Sequence, residues 1–340
     1  MLAAMLPACL RRIAPALALL AAFAAPVVVH GGQGRSAFGL GILRRDGVLI
    51  PFASFSGHAW TTDWPGNNSV ELPISLGDIP KRWWGAPGAA ARWTAWPPDG
   101  KSRPLTLQKP QQLPVFCGTH LGVKTDYEGS AVDPRDPTVP KDALAIAGDA
   151  TFVPIIQVSL YSQDATKIVD AITDDFNKEE RTAAEHFVNW RHPFGELSRK
   201  DFPIELEAFY RAHESTPSGD WRVSYIEAVR RFPAQAGDRD CGLITFVRGW
   251  VLEREGRTPV IDIGARITYC DRADVTFMQP FGQLMIDREP YWVYQLSSWR
   301  DEVYGVSRVR PDEVKPVMAV SGGGCPKADP ARGRGRGGGV

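Results

Sequence analysis

The chain reads as a mainly β protein, all-β to α+β, with antiparallel sheets and a short helical insertion packed on the C-terminal sheet. Three observations predict it. Runs rich in Val, Ile, Thr and aromatics recur between Gly, Pro and Asp turns. The 33 Gly and 28 Pro carry no period, which favours short strands over long helices. One stretch alone, residues 164–213, repeats its apolar positions with a helical period.

Residues 1–30 have the order of a signal peptide: Arg11 and Arg12, an apolar run from Ile13 to Ala25, and an Ala22-Phe23-Ala24 cleavage pattern. The run is short and interrupted by Pro15 and Pro26, so it reads as a leader, with an uncleaved anchor as the alternative. No later stretch is apolar enough to cross a membrane. The chain is therefore expected to be exported, periplasmic or secreted.

Residues 36–127 are expected to form a small, Trp-rich β domain. Ala37–Leu43 and Val48–Phe55 flank an Asp46-Gly47 turn, and Arg92–Trp96 and Arg103–Leu107 flank Pro97-Pro98-Asp99-Gly100. Leu113–Phe116 and Leu121–Lys124 are further strands, and Trp60 to Gly88 is loop-rich. Residues 128–143, with three prolines among charges, read as a linker.

Residues 144–325 are expected to form an antiparallel β domain with helices at about 165–213. Thr151–Leu160 opens it as a strand. Ile168, Ile172 and Phe176 step by four, Asn177 with Glu180 resembles a cap that restarts the helix, and Pro203–His213 reads as a shorter helix. Arg222–Arg231 leads into the hairpin Leu243–Leu252 and Val260–Thr268. If Glu255 and Gly256 form a two-residue loop, Arg254 closes on Arg257 and Cys241 falls opposite Cys270, within disulfide reach. That register gathers Ile244, Phe246, Trp250 and Leu252 with Ile261, Ile263, Ala265 and Ile267 on one apolar face. Val275–Met278, Gly282–Ile286, Trp292–Trp299 and Val303–Val309 continue as a meander, with Trp292, Tyr294 and Leu296 on one face. The chain beyond Pro311 reads as irregular, and residues 326–340 as a disordered Gly/Arg tail.

Of five cysteines Cys9 lies in the leader; pairing Cys241 with Cys270 leaves Cys117 for Cys325. Basic and acidic residues number 39 each, and removing Arg11 and Arg12 leaves 37 against 39. Such a balance supplies no field for nucleic acid, so no nucleic-acid partner is expected. The Arg332-Gly333-Arg334-Gly335-Arg336 tail is read as a solubilising or surface-sticking tail. Asn67-Asn68-Ser69 fits a glycosylation acceptor.

Catalytic patterns are thin. His186, His192 and His213, with Glu185, are the candidates for a metal, but a six-residue step puts His186 and His192 on different helix faces. Asp175 to His186 fails as a calcium loop because Glu180 stands where Gly is required. Neither a Gly-x-Ser-x-Gly elbow nor a phosphate loop occurs, and no cofactor is expected. Six of eleven tryptophans lie in the first segment, and Trp83, Trp84 and Trp60 are the candidate ligand contacts. The expectation is a non-catalytic binding or envelope-associated protein holding a glycan or protein ligand through that segment. The alternative is a secreted hydrolase, metal-dependent or not, with its site between the helices and the C-terminal sheet.

Overall fold

Asp46-Gly47 makes the first hairpin in the computed structural model, which describes residues 36–66, 71–129, 140–186, 192–212, 221–234, 242–273 and 275–325. Gly47 takes φ +79° and donates to Arg44 O at 2.9 Å. The turn joins β1 (Phe38–Arg44) to β2 (Val48–Phe55), with Leu43 opposite Leu49. β3 (Trp60–Thr61), β4 (Trp93–Trp96), β5 (Arg103–Leu105), β6 (Leu107–Val115), β7 (Gly118–Thr125) and β8 (Lys141–Gly148) complete an outer sheet. Its order is β5-β4-β8-β1-β2-β7-β6, with β3 on β2. Thus β8, which the sequence reading divides between the linker and the second part, pairs with both β1 and β4.

The expected strand Thr151–Leu160 is two short ones, β9 (Thr151–Val153) and β10 (Ile155–Gln157), in different sheets. Pro154 separates them, because proline has no N–H to give a ladder. Helix α1 (Gln163–Glu185) follows, its N-cap Ser162 accepting from Ala165 N, and runs unbroken through Asn177. The expected restart is corrected by what the polar pair does. Asn177 Oδ1 accepts from Arg230 at 3.0 Å, and Glu180 Oε2 accepts from Arg230 at 2.5 Å and Arg199 at 3.4 Å. These residues tie the helix to its sheet instead of capping it.

After α2 (Glu196–Arg199) come β11 (Glu205–Ala212), β12 (Trp221–Arg231), β13 (Leu243–Arg254) and β14 (Val260–Tyr269). β10 to β14 form the helix-covered sheet in sequence order. The expected helix at Pro203–His213 is strand β11: pairing with β12 outweighs the helical propensity of its Glu, Leu and Ala.

The β13–β14 register is one residue out of step with expectation. Leu243 faces Tyr269 and Leu252 faces Val260, because the connection runs through Thr258 and Pro259. The expectation of one apolar face is corrected because β13 is covered on both faces. Val247 and Val251 pack under α1, while Phe246 and Leu252 pack on the opposite side. Cys270 is disulfide-bonded; Cys241 lies outside the described residues.

β15 (Phe277–Ile286), β16 (Glu289–Ser297), β17 (Asp301–Val309) and β18 (Val314–Gly324) form the central sheet, ordered β18-β17-β16-β15-β9. The stretch beyond Pro311 is therefore a strand and not irregular chain. Pro316 is tolerated because β18 is an edge and its ladder shifts register there.

The three sheets stack. One side of the central sheet, with Leu284, Val293, Tyr304 and Val306, packs on Leu40, Ile50, Phe52 and Ile146 of the outer sheet. Its other side, with Met278, Trp292, Tyr294 and Val309, packs on Val223, Tyr225 and Leu252 of the helix-covered sheet. Here Trp292, Tyr294 and Leu296 share a face, as their spacing predicts. Ile168, Ile172 and Phe176 of α1 close the far side of the helix-covered sheet. The result is a β-rich antiparallel fold with one long helix on a C-terminal sheet.

The Cys117–Cys325 disulfide links the β6–β7 turn to the end of β18, across 208 positions. A loop that long contributes about 5 kcal/mol on the chain-entropy account. Lys141 Nζ, 2.7 Å from Glu302 Oε2, is a buried ion pair between outer and central sheets. Among the described residues no helix is long and apolar enough to cross a membrane.

Candidate ligand cavity

The residues singled out by sequence are placed as follows. Trp84 is 5% exposed, its ring 5.0 Å from Trp64 and 6.3 Å from Trp93. Trp83 is half-buried, 6.3 Å from Trp64. Both sit in a one-turn 3-10 helix, Lys81–Trp84, which covers the outer face of the outer sheet. Trp60 packs among Phe55, Phe38 and Tyr291 at 5.1, 5.7 and 6.0 Å. The space among Trp64, Trp83, Trp84 and Trp93 amounts to 10 Å³. Their density makes a wall.

Glu185 and His186 end α1 in solvent, His186 Nδ1 lying 2.8 Å from Thr182 O. His192 is in an aromatic cluster, 4.7 Å from Phe232, and accepts Phe194 N–H. Burial holds its pKa below the usual imidazole range. His213 and the Asn67-Asn68-Ser69 acceptor lie outside the described residues. Among the described residues no three His, Cys, Asp or Glu are grouped to hold a metal ion.

A different place is open. Between β13–β14 and the β15–β16 side of the central sheet lies a cavity of about 500 Å³. It arises from alternation. Arg248 and Trp250 of β13 share a face with Asp262, Gly264 and Arg266 of β14, opposite the helix. Along β12 and β13 this face is closed: Trp250 stands 5.0 Å from Trp292 and 5.1 Å from Tyr225. At β14 the cover ends, and Asp262, Gly264 and Arg266 are exposed.

Three polar groups gather at the closed end. Tyr225 is 2% exposed, and its hydroxyl has no hydrogen-bond partner. Burial, then the Glu227 charge, raises its pKa, so the group remains an O–H donor. Arg248 donates Nη1 to Thr276 O at 3.1 Å, and its guanidinium lies beside that phenol without reaching hydrogen-bond geometry. Glu227, 4% exposed, accepts Met278 N–H at 2.6 Å. Its pKa is pushed up to about 7, chiefly by burial, against the pull of that N–H and of Arg248.

Two glycines shape the floor. Gly249 has φ +154°, and a Cβ there would lie 2.1 Å from Asp262 O, so only glycine lets β13 and β14 pair beside Arg248 and Trp250. A Cβ on Gly264, across from Arg248, would meet nothing within 4 Å. The sequence reading missed this site. Its visible signal was a charged residue, a glycine and a tryptophan in succession inside a strand, a break in the local rules that marks special sites.

Compared with known proteins, the chain matches no family model, no curated protein and no solved structure.

Proposed function

We propose that the protein is an exported, non-catalytic binding protein whose ligand occupies the cavity between β14 and the central sheet. The observation that carries this reading is the buried, unpartnered Tyr225 hydroxyl in the lining of an open space that Phe246, Trp250 and Tyr294 share with the charged Arg248, Asp262 and Arg266. An orphaned buried hydroxyl costs about 1–3 kcal/mol, which a ligand oxygen would recover. Concave sites with apolar walls and a few convergent polar groups are the usual form of small-molecule sites. Its lining includes the carboxylate of Asp262 and no His, Cys or Ser among the described residues, and Glu227 lies buried behind it on Met278 N–H, which suits binding better than nucleophilic chemistry.

Export is supported by the leader-like residues 1–30 together with the Cys117–Cys325 disulfide, since such bonds persist in oxidising compartments. The glycan or envelope-protein reading through Trp83, Trp84 and Trp60 has less support, because those rings are engaged with one another and with the core. The hydrolase reading places its site on the helix side of the sheet, the face opposite the cavity.

The test is a thermal-shift screen of the oxidised chain against small organic acids, amines, amides and soluble glycans, run beside Gly264→Leu. A ligand specific to the folded form raises the midpoint. Shifts lost in Gly264→Leu support the cavity. Shifts retained there but lost in Trp83→Ala would move the site to the Trp-rich wall.

A further inference from the structure

The cavity's polar groups specify more than a volume. Tyr225 offers an O–H with nothing to receive it. Arg248 has five N–H donors, and its bond to Thr276 O occupies one of them. Both are donors, so their shared complement is an acceptor with negative charge. Glu227, the nearby carboxyl, accepts Met278 N–H on Oε1 and offsets only part of the Arg248 charge, since burial pushes its pKa up to about 7. The remaining walls near these donors are Phe246, Trp250, Met278 and Leu296, which want an apolar body. Asp262, opposite Trp250, and Arg266, opposite Phe246, are both exposed on β14 and set one charge of each sign at the mouth.

We infer that the cavity takes a carboxylate with an aromatic or branched aliphatic body. The carboxylate sits on Tyr225 Oη and the Arg248 guanidinium, and the body lies against Trp250 and Phe246. This rests on the binding reading above and adds the ligand class to it. At about 500 Å³ the space falls within the roughly 300–1,000 Å³ of small-molecule sites.

The experiment is titration calorimetry of the full oxidised chain with 3-phenylpropanoate, its neutral amide 3-phenylpropanamide, and inorganic phosphate. The acid should bind at least about tenfold more tightly than the amide, the worth of one charged hydrogen bond. Arg248→Met should bring the acid down to the level of the amide. Tyr225→Phe should weaken the acid several-fold while leaving the unfolding midpoint unchanged or higher, because the lost hydroxyl had no partner. That variant keeps the test readable if Arg248→Met folds poorly. Gly264→Leu, which extends into open space, should abolish binding of both organic probes.

Equal binding of acid and amide, both lost in Gly264→Leu, would sink the ligand class and leave the cavity as a binding site. Acid binding untouched by Gly264→Leu would sink the cavity reading itself. Phosphate binding as tightly as the acid would show a general oxyanion site and overturn the apolar body. No binding of any probe to the wild-type chain would overturn the proposal.

Discussion

The Trp-rich wall of the outer sheet and the cavity of the helix-covered sheet are both lined by large aromatics, yet one leaves 10 Å³ of space and the other about 500 Å³. The difference lies in what opposes the rings. Trp64, Trp84 and Trp93 meet one another over strands whose small residues, Ala95, Ala143, Ala145 and Ala147, let them settle. Trp250 meets Trp292 and Tyr225 on one flank, and on the other the covering sheet stops short of β14. Aromatic density in a sequence therefore does not locate a ligand site. The termination of a layer does.

The largest effects should separate these two regions. Trp84→Ala empties a closed position and should cost about 3–5 kcal/mol of unfolding free energy. Trp250→Ala, whose ring is already half open to the cavity, should cost about half as much, with ligand binding lost. Urea denaturation of both variants checks this. Equal costs would mean that the cavity side is packed as tightly as the wall.

Next in size is Gly249→Ala. Its Cβ would enter the Asp262 carbonyl at a backbone angle few L-residues adopt, and such strain costs about 1–3 kcal/mol. The expected readout is a lower urea midpoint together with weakened ligand binding, since β13 and β14 would separate at the floor. A neutral result would show that the two strands approach less closely there.

Glu227→Gln sharpens the comparison electrostatically, because the cavity side buries a carboxyl that the Trp wall lacks. With the folded pKa at about 7 against an ordinary 4.5, the native state holds the proton more tightly than the unfolded chain. Stability from this group is present below pH 4.5 and is lost as pH rises through 7. Gln keeps an acceptor for Met278 N–H and removes the titration. The variant should match wild type near pH 4 and exceed it by roughly 2–3 kcal/mol at pH 8. A difference that stays constant from pH 4 to 8 would place the ordinary carboxylate pKa back on Glu227.

How legible these features were depends on whether the signal was local. The β1–β2 hairpin was legible because Asp46-Gly47 and the flanking alternation sit within a few residues of each other. The Trp292, Tyr294 and Leu296 face followed from strand parity alone. The β13–β14 register was not legible, because its argument assumed one apolar face and the sheet is covered on both. β11 was hidden for a related reason: Glu205–Ala212 has helical composition, and only the presence of β12 makes it a strand. The cavity needed still more, since Tyr225, Arg248 and Met278 belong to three strands in two sheets. No spacing in the sequence records that Met278 N–H would reach Glu227.

The smallest effect is the most discriminating. Gly264→Ala adds a methyl where nothing lies within 4 Å and where φ is not in the left-handed region. Alanine also loses less conformational freedom than glycine on entering a strand, so stability should rise by up to about 0.5 kcal/mol. Gly249→Ala, the same chemical change fifteen residues earlier, should move stability the other way. One glycine is held by backbone crowding; the other keeps a floor bare that the fold does not require to be bare. If Gly264→Ala is neutral or stabilising yet weakens the ligand several-fold, the space above it serves binding and not folding. If it destabilises as Gly249→Ala does, β14 is packed there, and the opening between the sheets is narrower than 500 Å³.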